Sequence, residues 1–283
     1  MRLSERSVYR SFSPDEALLD GKASMKIVRQ LLPKEIKTMN KEISPKVAII
    51  TGGSRGIGRA ICGELAGDGY YVIINYRSDD ESAARTLENL RERGAEGETC
   101  KFDVSNFEDT KNALADIILR FDRIEVLVNN AGITEDGLFV FMTEDEWNSV
   151  IDTTLKGFYN VTRPVLEKMV TQKRGSIVSI SSLSGLVGHR GQANYSAAKA
   201  GLIGASRAIS TEVARLGVRV NVVAPGLIET EMSKDVPRDF VKGMIPMARI
   251  GRPEEVAGVV GFLCSDDASY ITGQVISVNG GMH

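Results

Sequence analysis

Cysteine is scarce in this chain: Cys62, Cys100 and Cys264 are odd in number and far apart. Neither a disulfide framework nor a zinc site fits that count and spacing, so a reducing, cytoplasmic setting and no bound metal are expected. Long apolar runs are missing too. No window approaches the roughly 18 consecutive apolar residues of a membrane helix. The opening stretch reaches Glu5, Asp15, Glu16 and Asp20 without the apolar core of a secretory signal. Arg2, Arg6 and Arg10 with nearby serines hint at a transit peptide, but those acidic residues count against it. Basic excess is also absent: the formal charge is −2, which argues against a surface that neutralises many phosphates, so no nucleic-acid partner is expected.

What remains is ordinary for a folded domain. Apolar residues make up 42% and charged residues 25%, which excludes both disorder and a fibrous repeat. From Lys46 onward, short β-branched runs alternate with helical patterns, the rhythm of parallel strands joined by crossover helices. Strands are expected at Val47–Thr51, Tyr71–Asn75, Glu98–Phe102, Val126–Asn129, Gly175–Ser181, Arg219–Val223 and Gln274–Val278. Several are near-continuously apolar, as strands covered on both faces must be. The fold class is therefore α/β: a single doubly wound, Rossmann-type domain over residues 46–283, with a seven-stranded parallel sheet flanked by helices. Residues 1–45 do not join this rhythm and are expected to be a mobile appendage. The stretch from Thr230 to Ile250 is too long for an ordinary connection and is expected to be a functional lid.

Directly after the first strand comes Gly52-Gly53-Ser54-Arg55-Gly56-Ile57-Gly58, then a helical pattern. Glycines let the backbone turn tightly and approach a pyrophosphate, while free amides at the helix N-terminus face its charge. This predicts dinucleotide binding. An acidic residue at the end of the second strand would hold the ribose hydroxyls of NAD and repel a 2′-phosphate. Here the chain reads Asn75-Tyr76-Arg77, so Arg55 and Arg77 are expected to flank the 2′-phosphate of NADP.

The helical pattern opening at Tyr195-Ser196-Ala197-Ala198-Lys199 sets a phenol and an ammonium on one face. The ammonium is expected to lower the tyrosine pKa from its ordinary value of about 10 and make Tyr195 a general acid or base. Ser182, just past the fifth strand, stands where parallel sheets bind ligands and can donate to a carbonyl oxygen.

In combination these segments resemble the short-chain dehydrogenase/reductases over residues 46–283. The resemblance rests on Thr51–Gly58, Asp103-Val104, Asn129-Asn130-Ala131-Gly132, Ser182, Tyr195, Lys199 and Pro225-Gly226. It implies hydride transfer between a nicotinamide and a carbonyl or alcohol. Ser182 would orient the substrate oxygen, Tyr195 would exchange its proton, and Lys199 would support the tyrosine and bind the nicotinamide ribose. Asp103 and Val104 would contact adenine, Asn129 the ribose region, and Ile228 and Thr230 the nicotinamide carboxamide, with Ala131, Gly132, Pro225 and Gly226 completing the cofactor set.

Within that family the strongest likeness is to 3-oxoacyl-acyl-carrier-protein reductases. It is carried by Gly191–Tyr195, Asn221–Gly226, Ile228–Met232, Tyr270–Gly273 and Val278–Met282. It implies NADPH-dependent reduction of a 3-oxoacyl thioester in fatty-acid synthesis, an acyl-carrier-protein partner and a homotetramer. The alternatives are a reductase of another carbonyl (coenzyme A thioester, polyketide-like, sugar or steroid) or a regulatory protein that binds cofactor with impaired turnover. Two positions depart from the family pattern. Thr154 replaces an asparagine of the usual catalytic set, and Leu216 replaces an arginine linked to carrier docking, leaving Lys173 and Arg174 as a candidate basic rim.

Overall fold

The computed structural model describes residues 45–234, 241 and 243–283. The expected appendage over residues 1–45 falls almost wholly outside them, as does the middle of the expected lid. Seven strands form one parallel sheet: β1 (Val47–Ile50), β2 (Tyr71–Tyr76), β3 (Gly97–Lys101), β4 (Ile124–Asn129), β5 (Gly175–Ile180), β6 (Val218–Pro225) and β7 (Val275–Val278). Their spatial order is β3-β2-β1-β4-β5-β6-β7. All seven strands expected from the sequence are present, with ends shifted by one or two residues.

Alternation of side chains along each strand divides the core in two. Ala48 and Ile50 of β1, with Val72 and Ile74 of β2, face one layer, where Ile61, Leu65, Val256 and Val260 pack. Val47, Ile49 and Ile73 face the other layer, against Leu114, Ile117, Val161 and Val165. The first layer includes helices α1 (Gly56–Gly67), α2 (Asp80–Glu92) and α8 (Pro253–Cys264). The second includes α3 (Phe107–Arg120), α5 (Gly157–Gln172) and α7 (Ala193–Val213).

Local chemistry starts these helices where they are needed. Asp79 accepts from the Ser82 amide ahead of α2, and Asn106 accepts from the Glu108 and Asp109 amides ahead of α3. Thr143 and Glu146 form a capping box at α4 (Glu144–Ile151). A π turn, Asp152–Lys156, joins α4 to α5. A short helix α6 (Ser184–Val187) follows β5 and had no counterpart in the expected elements.

Candidate active site

The C-terminal ends of β1 and β4 are strapped together by side chains that satisfy backbone groups. Thr51 Oγ1 accepts from the Asn130 and Ala131 amides, both at 3.0 Å. Asn130 Nδ2 donates to Thr51 O (2.9 Å) and Gly52 O (3.0 Å). Asn75 Oδ1 accepts from the Gly52 amide at 3.2 Å. The loop then enters α1 so closely that a Cβ on Gly58 would stand 2.2 Å from Gly52 O, which only glycine avoids. At the head of α1, Arg55 makes no side-chain cap and no acidic residue lies in the first turn. The helix therefore presents bare amides and the positive end of its dipole, which suits a pyrophosphate.

The other expected cofactor residues gather at the same sheet edge. Ser54 is buried, and its carbonyl accepts from Arg59 and Thr86. Arg77 is exposed just past β2. Asp103 follows β3 but turns its Oδ1 to the Ser105 amide and hydroxyl, and Val104 is buried against Gly157. Asn129 ends β4 with its amide bonded to Thr162 Oγ1 at 2.9 Å, so its side chain serves the helix layer. Pro225 ends β6, Gly226 packs on Asn279, and Ile228 is buried beside Gly251. Thr230 lies against Gly56.

β5 and α7 bring the chemical groups together. Lys199 Nζ donates to Ile180 O, and Ser181 Oγ to Lys199 O, both at 2.8 Å. These bonds fix α7 to the end of β5. Ser182 Oγ accepts from the Ser184 amide at 3.1 Å, which leaves its own proton available to donate. Ser182 and Tyr195 are close enough for the serine to draw the tyrosine's pKa down.

The charge states differ from the sequence expectation. Burial pushes the Tyr195 phenol up, the Ser182 hydrogen bond pulls against that, and Asp136 adds to the rise. Lys199 Nζ lies 5.5 Å from the centre of the tyrosine ring. Burial also pushes the lysine itself down to about 8. At neutral pH Tyr195 therefore holds its proton, the state a general acid needs.

Thr154, on the π turn, is buried and its Oγ1 has no hydrogen-bond partner. It stands 3.6 Å from the point where a Cβ on Gly132 would lie, and Lys199 Nζ stands 3.2 Å from that same point. Thr154, Asn129, Ala131 and Phe158 line a cavity of about 10 Å³, close to the least space a water occupies.

A polar chain joins the β4 loop to the segment before Tyr195. The Asp136 carboxylate only accepts, so Gln192 turns its Nε2 toward it, at 3.2 and 3.0 Å from the two oxygens. Gln192 Oε1 then accepts the Ser184 proton at 2.8 Å. With that proton committed, Ser184 Oγ accepts from His189 Nδ1 at 3.0 Å. Asn194 Nδ2 donates to Glu135 O and Glu146 O.

The sequence reading assigned no site role to Asn75, Asn130, Asp136, Ser184 or Gln192. The asparagine doublet after β4 carried a signal for Asn130. The Asp136–Gln192–Ser184 chain joins positions with no common spacing. The expected basic rim lies elsewhere: Lys173 and Arg174 precede β5, and Leu216 precedes β6, so within one subunit they stand at the opposite sheet edge from Ser182. Arg174 there pairs with Glu125 and Asp266. Among the described residues no cluster of side chains could hold a metal ion, and no helix is long and apolar enough to cross a membrane.

Comparison with known proteins agrees with this arrangement. A family described as Enoyl-(Acyl carrier protein) reductase matches residues 52–283. The chain is 43% identical over 241 residues to a 3-oxoacyl-acyl-carrier-protein reductase of Staphylococcus aureus, covering 84% of this chain and 98% of that protein. It is 43% identical to the enzyme of that name from Synechocystis, over 85% of this chain and 98% of the relative. For the one from Aggregatibacter actinomycetemcomitans the identity is 44%, over 83% and 98%. With the glycine loop, the parallel sheet and the Ser182–Tyr195–Lys199 cluster in place, the chain belongs to the short-chain dehydrogenase/reductase family and is an oxidoreductase.

Proposed function

We propose that the chain reduces a 3-oxoacyl thioester, carried on an acyl carrier protein, to the 3-hydroxyacyl thioester with NADPH, in cytoplasmic fatty-acid synthesis. The observation that carries this reading is the placing of Ser182, just past β5, and of Tyr195, on the helix that Lys199 and Ser181 fix to the end of β5, at the sheet edge that also carries the glycine loop. Two O–H donors suit a ketone oxygen that becomes a hydroxyl, whereas reduction of a carbon–carbon double bond must deliver a proton to carbon. The names of the relatives support the same substrate class.

In this reaction Ser182 donates a hydrogen bond to the ketone oxygen and orients it. Tyr195 transfers its proton to that oxygen as the carbonyl carbon is reduced. The glycine loop, Arg55, Arg77 and the segment Pro225–Thr230 would hold the cofactor, and the bound nicotinamide supplies the hydride. Lys199 supplies positive charge beneath the tyrosine and would hold the nicotinamide ribose. Thr154 is the relay group in place of asparagine: its unpartnered hydroxyl and the adjoining cavity suit one water through which Tyr195 regains its proton. Arg55 and Arg77, with no carboxylate on Asn75-Tyr76, favour a 2′-phosphate.

Assembly as a homotetramer is part of the proposal. Phe139, Val140 and Phe141 are 69%, 79% and 78% exposed in one run, a contiguous apolar strip of the kind that marks an interaction site. The deciding experiment is a substrate panel followed by cofactor oxidation: 3-oxoacyl and enoyl thioesters on carrier protein and on coenzyme A, with NADPH and NADH. The reading predicts greatest efficiency with the 3-oxoacyl carrier thioester and NADPH. Faster enoyl turnover, or equal efficiency with both cofactors, would refute the corresponding part.

A further inference from the structure

Arg55, read above as a partner of the cofactor phosphate, is already paired. Its Nη1 donates to Glu231 Oε2 at 3.1 Å, across 176 positions of sequence. Both ends of this pair stand on fixed backbone. Arg55 leads into α1, and Glu231 opens a turn in which Thr230 N donates to Ser233 Oγ and Ser233 Oγ donates to Ile228 O. That turn is anchored by the Glu229 amide on Gly251 O and the Gly251 amide on Leu227 O. Thr230 Cγ2 lies 3.4 Å from where a Cβ on Gly56 would be, so the turn rests on the glycine loop itself. Glu231 also has a second cation in reach, Lys234 Nζ at 3.7 Å. Asp79 is the other carboxylate that feels Arg55; the Ser82 amide is the main group holding it below the usual range, with Arg55 contributing least.

We propose that Glu231 is a positioning residue that sets how tightly this protein holds the 2′-phosphate of NADP, by competing for Arg55. The inference rests on the reading of Arg55 as a phosphate partner. A phosphate that takes the guanidinium must either displace the Glu231 carboxylate toward Lys234 or sit beside it, anion against anion. Both outcomes weaken phosphate binding and leave NAD, which lacks that phosphate, unaffected.

The test measures dissociation constants of NADP⁺ and NAD⁺ by calorimetry, at low and high salt, for the full chain and for Glu231→Gln, Arg55→Gln and the double variant. Because exposed ion pairs are weak, Glu231→Gln should tighten NADP⁺ only about 3- to 5-fold at low salt, with less effect at high salt and none on NAD⁺. Arg55→Gln should remove most of the preference for NADP⁺, and Glu231→Gln should then have no further effect. An unchanged or weaker NADP⁺ affinity in Glu231→Gln would overturn the proposal. So would an equal shift for both cofactors, which marks a structural role, or an effect that persists without Arg55. Equal affinity of the unaltered protein for the two cofactors would instead sink the NADP reading beneath it.

Discussion

The two halves of the sheet's C-terminal edge are held in different ways. At the glycine loop, Thr51, Asn75 and Asn130 bond mainly to backbone groups of a glycine-rich turn. Near Tyr195, Asp136, Gln192, Ser184 and His189 bond side chain to side chain across loops, with Asp136 and His189 exposed. Backbone straps tolerate little change, because a lost partner leaves a carbonyl or amide unsatisfied. Side-chain links can be exchanged singly, so the half near Tyr195 can vary while the glycine turn keeps its shape.

The largest effect should come from the group both halves converge on. Tyr195→Phe should lower turnover by about 10²- to 10⁴-fold, the usual worth of a general acid, while cofactor binding stays near normal. Single-turnover rates and a cofactor titration separate the two, and a rate within a few-fold of normal would assign the acid elsewhere.

Breaking the glycine-loop half at its strap should be the next most damaging change. Asn130→Ala removes two hydrogen bonds to Thr51 O and Gly52 O and should cost about 1–3 kcal/mol of stability, together with cofactor affinity. Thermal unfolding and cofactor titration would read both; an unchanged melting temperature would show that the strap is dispensable.

The pH profile sharpens the comparison without any mutation. Burial moves Lys199 to about 8 and raises Tyr195, so the lysine loses its charge first as pH rises. The catalytic efficiency of reduction should be fully developed below about 8 and fall above it. A profile flat up to the ordinary tyrosine range would show that the lysine charge is not required.

The smallest effect is expected at Thr154. Restoring an amide with Thr154→Asn should raise turnover a few-fold, since one supporting group contributes only part of acid-base assistance. If Thr154→Asn and Thr154→Ala both leave turnover unchanged at fixed substrate and cofactor, the residue is packing alone.

The same division explains what could be read from the sequence. Short, near-continuous apolar runs marked the strands, because two covered faces demand them. The glycine turn and the Tyr195–Lys199 pair were legible because each is a short-range pattern with one geometric purpose. The tyrosine's raised pKa was not, since spacing brings Lys199 near but says nothing of burial. The position of Lys173 and Arg174 was legible too, since they directly precede the fifth strand and Ser182 follows it. The Arg55–Glu231 contact joins two exposed residues whose meeting depends on the whole fold between them.

The π turn at Asp152–Lys156 works as a phase adjuster. The phase of α5 is set by Gly157 against Val104 and by Asn160 and Thr162 bonding to Val104 and Asn129. The phase of α4 is set separately, by Glu146 O accepting from Asn194 beside Tyr195. An α-helix advances about 100° per residue, from its 3.6 residues per turn, and a π turn inserts one residue of surplus chain. Deleting one residue between 152 and 156 would therefore rotate α4 by roughly 100° about its axis, swinging Glu146 away from Asn194 while α5 stayed in place. One extra residue lets two ends of one rod obey two different neighbours.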